Sequence, residues 1–168
     1  HRVYDSRLLL PQKRKRVYIV AVRADLHAAC DAFCFPWLPD LGRGVGEILE
    51  EAPPPEEAPS LALSERRWAR ILESRAFQEA PEDVLGPLDQ AAAPLVSGYG
   101  RGCGRFARYT QLVPGAPGGP DGECAAPRRF SCRECARLQG FPETFKHASC
   151  GGPGAWYRLV GNAVGPPV

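Results

Sequence analysis

Three groups of side chains in this chain could do chemistry. The first is Pro11-Gln-Lys-Arg-Lys-Arg16, which runs directly into the apolar stretch Val17-Tyr-Ile-Val-Ala-Val22. Alternate side chains of an extended segment share one face, so Arg14 and Arg16 are expected to point together. A guanidinium offers a rigid fork of donors suited to phosphate or carbonyl oxygens. Taken alone, these residues also fit a solvated basic strand edge or a nuclear localisation tract. The second group is Ser97-Gly-Tyr-Gly-Arg-Gly-Cys-Gly-Arg105, rich in glycine and arginine. No helix follows it, and Gly42-Arg-Gly-Val-Gly46 lacks a hydrophobic strand before it, so neither satisfies the context of a nucleotide-binding loop. The third is Gly161-Asn-Ala-Val164, where the Asn162 amide is both donor and acceptor beside a small Ala163. Cys132 and Cys135 have zinc-ligand spacing, with Cys124, His147 and Cys150 nearby, but a pair inside a short helix does not resemble a zinc knuckle, and no metal is expected.

The elements that must position these groups are few. With 168 residues and 44% hydrophobic content the chain can bury a modest core, while 18 glycines and 18 prolines demand extensive turns. Arg16–Val22 reads as a buried strand. Residues 25–31 predict a short helical turn, 33–39 an extended aromatic segment, and 44–51 a short helix. Ser64 is a good N-cap for a helix over 64–77, with Trp68, Ile71 and Leu72 at helical spacing. Residues 94–113 suggest two short strands around the glycine-rich loop. Ser131, with Glu134 three residues on, forms a capping box for a helix that Gly140 ends. Residues 52–60, Ala-Pro-Pro-Pro-Glu-Glu-Ala-Pro-Ser, read as a linker too polar and Pro-rich to pack. The acidic run Glu47, Glu50, Glu51, Glu56 and Glu57 reads as its solvated flank.

The net charge of +2 does not itself imply nucleic acid, although local clusters of Arg and Lys can bind phosphate. Seven cysteines without scaffold spacing, and no apolar run near ~18 residues, suggest a reducing interior and no membrane span. The chain starts at His1 and contains no Met, which suggests a segment of a longer product.

Arg128-Arg-Phe-Ser-Cys-Arg-Glu-Cys-Ala-Arg-Leu-Gln-Gly-Phe-Pro142 resembles the ninth motif of cytosine-C5 DNA methyltransferases almost residue for residue. Gln12-Lys-Arg-Lys-Arg16 resembles their eighth motif and Gly161-Asn-Ala-Val164 their tenth, in the family's order. The resemblance implies an α+β fold: residues 1–23 as the terminal strand region of a Rossmann-like methyltransferase sheet, 24–127 as an irregular target-recognition domain, and 128–168 as a small helical return segment. It implies S-adenosyl-L-methionine as cofactor, with Asn162, Ala163 and Val164 closing one side of its pocket. Double-stranded DNA is the implied partner, met by Gln12, Arg14, Arg16, Ser97, Tyr99, Arg101, Arg105 and Thr110. Arg14 and Arg16 would also support catalysis at an extruded cytosine. Arg133 and Glu134 would brace the scaffold.

Family members attack cytosine C6 with a Cys thiolate in a Pro-Cys-Gln context, aided by a Glu, and then methylate C5. Neither Pro-Cys-Gln nor Glu-Asn-Val occurs in these residues, so this chain alone is expected not to methylate and to need an N-terminal methyltransferase region, on the same chain or another. A non-catalytic DNA-binding subunit of a split enzyme and an RNA-directed relative stay open. An intracellular location follows, nuclear in a eukaryote and cytoplasmic in a bacterium.

Overall fold

The computed structural model describes residues 1–26, 31–101, 111–115, 126–146 and 151–167. Arg2–Asp5 (β1) and Lys15–Tyr18 (β2) pair antiparallel, with Arg2 opposite Tyr18 and Asp5 opposite Lys15. The turn between them is tied from within. The Asp5 carboxylate accepts from the backbone N–H of Arg7 and of Arg14, and Ser6 Oγ donates 2.7 Å to the Gln12 carbonyl.

This ribbon corrects the expectation of a buried strand over 16–22. Strand pairing stops at Tyr18, and Val17, Ile19 and Val20 are 58%, 77% and 46% exposed. A two-stranded ribbon has two faces. The face bearing Tyr4 and Tyr18 is contacted by the Phe33–Leu38 segment, through Phe35 against the Tyr4 ring and the Tyr4 hydroxyl donating to the Pro36 carbonyl. Val3 and Val17, on the other face, stay in solvent.

Five helices lie wholly within the described residues: α1 (Ala58–Leu61), α2 (Glu65–Leu72), α3 (Arg75–Glu79), α4 (Cys132–Leu138) and α5 (Pro153–Asn162). The single helix expected over 64–77 is split at Ser74. Its hydroxyl donates to the Ile71 carbonyl and accepts from Phe77 N–H, closing one helix and opening the next. Ser64 has the extended backbone of an N-cap, but its side chain makes no cap hydrogen bond. Residues 44–51 form only a 3-10 turn, Val45–Ile48, closed by Glu47 accepting from Gly44 N–H.

The two strands expected within 94–113 are not formed by the described residues. Tyr99–Arg101 is a 3-10 turn, and Val113 makes an isolated antiparallel bridge to Arg128. The tract 52–60 is no free linker either, since α1 begins inside it and carries Leu61 into the interior.

The main core gathers Val45, Ile48, Leu95 and Tyr99 from the middle of the chain around Phe130, Cys135, Leu138, Trp156 and Tyr157. A smaller cluster, Leu63, Ile71, Val84 and Leu112, lies under α2 with Trp68 and Phe77 packed edge to face. No helix in the described residues is long and apolar enough to cross a membrane.

Candidate functional site

Helix α4 supplies the rigid base. Ser131 Oγ accepts from Glu134 N–H at 3.1 Å while the Glu134 carboxylate accepts from Ser131 N–H at 2.8 Å, so the capping box forms in full. The same carboxylate takes both arms of Arg128, each at 2.7 Å, and the backbone N–H of Glu50 at 2.9 Å. Glu134 is fully buried, and four donors balance the cost of burying its charge. Paired with it, the Arg128 guanidinium is held above its ordinary pKa.

Glu50 and Glu57 converge on the same helix start. Glu50 accepts from the Ser131 hydroxyl and Glu57 from Cys132 N–H. The acidic run is therefore not simply a solvated flank: negative charge here satisfies the free N–H groups and dipole of α4. Arg133 is half-buried, with Nη1 buried and lacking a hydrogen-bond partner.

Helix α5 carries the turn bearing Asn162, Ala163 and Val164. Its last carbonyls are taken by side chains from distant parts of the chain. Gln139 Nε2 donates to the Val160 carbonyl at 2.9 Å; Arg14 Nη2 donates to the Gly161 and Ala163 carbonyls, both at 3.1 Å. Arg14 Nη1 reaches the Leu95 carbonyl at 2.9 Å. A guanidinium thus caps the negative end of the helix, where a cation is favoured. Burial, then the nearby Arg16, lowers the Arg14 pKa.

Gln12 is fully buried. It donates to the Leu138 carbonyl and accepts from Leu95 N–H, both at 3.3 Å. Asn162 is exposed, Ala163 half-buried, and Val164 63% exposed.

The segment entering the glycine-rich loop lies along α5. Tyr99 is 1% exposed, with its hydroxyl donating to the Gln111 carbonyl and accepting from Phe130 N–H, each at 2.8 Å. Burial pushes its pKa well up. A Cβ on Gly100 would sit 2.5 Å from Tyr157 Cδ2, so glycine here serves close approach to a ring of the protein itself. A Cβ on Gly161 would lie 2.4 Å from the backbone of Val96 and Ser97, so this glycine serves close backbone packing as the last turn of α5 ends.

These facts revise the expected DNA-facing set. Gln12 and Tyr99 are buried and present no atom to a duplex; both side chains satisfy backbone groups that the fold removes from water. Arg14 and Arg16 do not act as a pair. Arg14 turns inward to carbonyls, whereas Arg16 is exposed and returns one bond to the Lys15 carbonyl. Ser97 is half-buried beside Gly161. The side chain of Arg101, and all of Arg105 and Thr110, lie outside the described residues, as do Cys30, Cys103, Cys124, His147 and Cys150.

Sequence reasoning passed over Arg128 and the positioning role of Gln139. A glutamine directly after the apolar Leu138 at the helix end was the available signal for Gln139, since a buried amide must find partners.

Cys132 and Cys135 are buried, and burial pushes the Cys135 pKa well up. Among the described residues no cluster of three His, Cys, Asp or Glu could hold a metal ion. An open cleft of about 650 Å³, walled by Leu9, Leu10, Leu41, Phe141 and Pro167, is lined by none of the expected site residues.

The family model for C-5 cytosine-specific DNA methylase matches residues 6–168. The type II methyltransferase M.DsaV of Dactylococcopsis salina is 30% identical over 166 residues, covering 92% of this chain and 40% of the relative. M.NlaX of Neisseria lactamica is 30% identical over 163 residues, covering 95% and 45%. The crystal structure of the Dnmt2 methyltransferase of S. pombe superposes with a TM-score of 0.55 at 15% identity, covering 97% of this chain and 50% of that one, which shows a shared methyltransferase fold, here mixed α/β with a small two-stranded sheet. The chain spans less than half the length of these two curated relatives. With a family match running from Ser6 to its last residue, the chain belongs to the C-5 cytosine-specific DNA methylases.

Proposed function

We propose that these residues supply target recognition and one wall of the cofactor site to a DNA cytosine-5 methyltransferase, and that the 168 residues alone do not methylate. The observation that carries this reading is that one helix, α5, holds both parts: the Asn162–Val164 turn leaves its end, and the segment entering the glycine-rich loop lies along its side. S-adenosyl-L-methionine, when bound, supplies the electrophilic methyl group. The residues present fit it: Asn162 offers an exposed amide, Val164 an exposed apolar side chain, and both lie on a turn whose carbonyls Arg14 has already satisfied.

Arg16, exposed on β2, is a cation placed to meet a phosphate or an extruded base. The glycine-rich loop with Arg101, Arg105 and Thr110 reads the duplex. The apolar face bearing Val3 and Val17 docks on the remainder of a larger sheet, which explains why a ribbon of this size leaves it in solvent.

The test is co-expression with a chain carrying the Pro-Cys-Gln and Glu-Asn-Val motifs of a type II methyltransferase. Tritium transfer from labelled S-adenosylmethionine to duplex DNA is expected from the pair and not from this chain alone. Turnover by the isolated chain, or none from any pairing, refutes the reading.

A further inference from the structure

We infer that Arg14 is a positioning residue that couples the recognition loop to the cofactor-side turn; the inference rests on the functional reading above. One guanidinium bonds to Leu95 at the entrance to the loop and to Gly161 and Ala163 on the turn, residues separated by 66 and 68 positions in sequence (161 − 95 and 163 − 95).

A second observation, independent of Arg14, reaches the same conclusion. Gly161 presses so closely on Val96 and Ser97 that even a methyl group would meet backbone at 2.4 Å. A third contact follows one turn back along α5, where Gly100 rests on the Tyr157 ring, itself edge to face with Tyr99 at 5.2 Å. The entrance segment therefore touches α5 at Arg14's bridge, at Gly161 and at Tyr157. Neither the loop entrance nor the turn can shift without breaking Arg14's bonds or moving the backbone of the other. Contact of this kind, backbone against backbone under a planar fork, leaves few intermediate positions. The loop's placement on DNA and the turn's placement on cofactor are then one equilibrium, and each ligand biases the other's site.

Arg14→Lys is the direct perturbation. An ammonium keeps the charge, but it cannot span carbonyls on two segments as the fork does. Gly161→Ala perturbs the same junction from its other side, by forcing the turn away from the Val96–Ser97 backbone while the Arg14 side chain itself is unchanged.

Hydrogen exchange on the intact 168-residue chain reads the result without any need for activity. In both variants, amides in 95–99 and in 160–164 are expected to exchange roughly tenfold faster or more, the scale of a lost charge-assisted hydrogen bond. Amides of α4 over 132–138 are expected to stay as in the parent, reporting that the fold persists. Acceleration confined to one segment, to neither, or spread uniformly through α4 overturns the inference.

In the complemented two-chain enzyme, the KM for S-adenosylmethionine is expected to be lower at saturating than at limiting duplex, and Arg14→Lys to bring the ratio of these two KM values close to one. A purely structural arginine would instead weaken both substrates while leaving the ratio unchanged, which also overturns the inference. If the parent pair does not methylate, the functional reading fails while the exchange result still decides the mechanical link.

Discussion

Removing the Glu134 carboxylate tests the account of α4 most severely. The group is fully buried and accepts from Arg128 Nη1, Arg128 Nη2, Ser131 N–H and Glu50 N–H. Glu134→Ala strands all of them. Breaking a buried ion pair by removing one partner costs about 3–5 kcal/mol, and each buried donor left alone costs about 1–3 kcal/mol. Water can reach Arg128, whose side chain is 22% exposed, so part of that cost is recovered. The expected loss is about 4 kcal/mol for Ala and about 2 kcal/mol for Gln, which keeps one acceptor oxygen and the shape.

Urea unfolding followed by tryptophan fluorescence measures it, because Trp156 bonds to the Cys132 carbonyl at the start of this same helix. With a slope of about 2 kcal/mol per molar urea, the Ala midpoint should fall by about 2 M. The double variant Arg128→Ala with Glu134→Ala should cost less than the sum of the singles by about 1.5 kcal/mol or more. A midpoint shift under about 0.5 M, or strict additivity, would refute the assignment of these charges as the brace of the α4 start.

Two further outcomes follow from the geometry. Site-resolved alkylation of the native chain should modify the exposed Cys34 and spare Cys132 and Cys135, whose labelling should track unfolding; rapid native labelling of Cys135 would contradict both its burial and its raised pKa. The Glu143 carboxyl is held below its ordinary value by the Arg137 guanidinium, at 2.8 and 3.0 Å. A depressed carboxyl pKa adds stability that is fully present above the unfolded value of 4.5 and disappears as pH falls through the folded one. Glu143→Gln should therefore be less stable than the parent at neutral pH, by under about 1 kcal/mol because the glutamate side chain is 63% exposed, with the difference shrinking as pH falls below 4.5 and vanishing once the folded carboxyl is protonated. A difference that persists in acid counts against the pair.

Local signals were readable in advance, and long-range ones were not. The capping box of Ser131 and Glu134 was legible because its partners lie three residues apart. Ser74, by contrast, splits a helix that periodicity had drawn as continuous, because a hydroxyl able to bond the backbone on either side competes with helix propagation. The acidic run looked like solvated linker because nothing within it says that Glu50 and Glu57 face the free N–H groups of a helix more than seventy residues away. The strand over 16–22 looked buried because its β-branched residues suit a core, yet burial needs a second surface, and the described residues provide one only on the Tyr4 side.

By itself the sequence determined the family and the order of its motifs, since those rest on residue identity and spacing along the chain. It also determined the start of α4, which is settled by bonds within one turn. Only the tertiary structure decided that Gln12 and Tyr99 are interior residues and that Arg14 and Arg16, two positions apart, serve different ends. Their roles depend on which distant carbonyls would otherwise be buried without a donor: those of Leu95, Gly161 and Ala163 are met by Arg14, that of Leu138 by Gln12 and that of Gln111 by Tyr99.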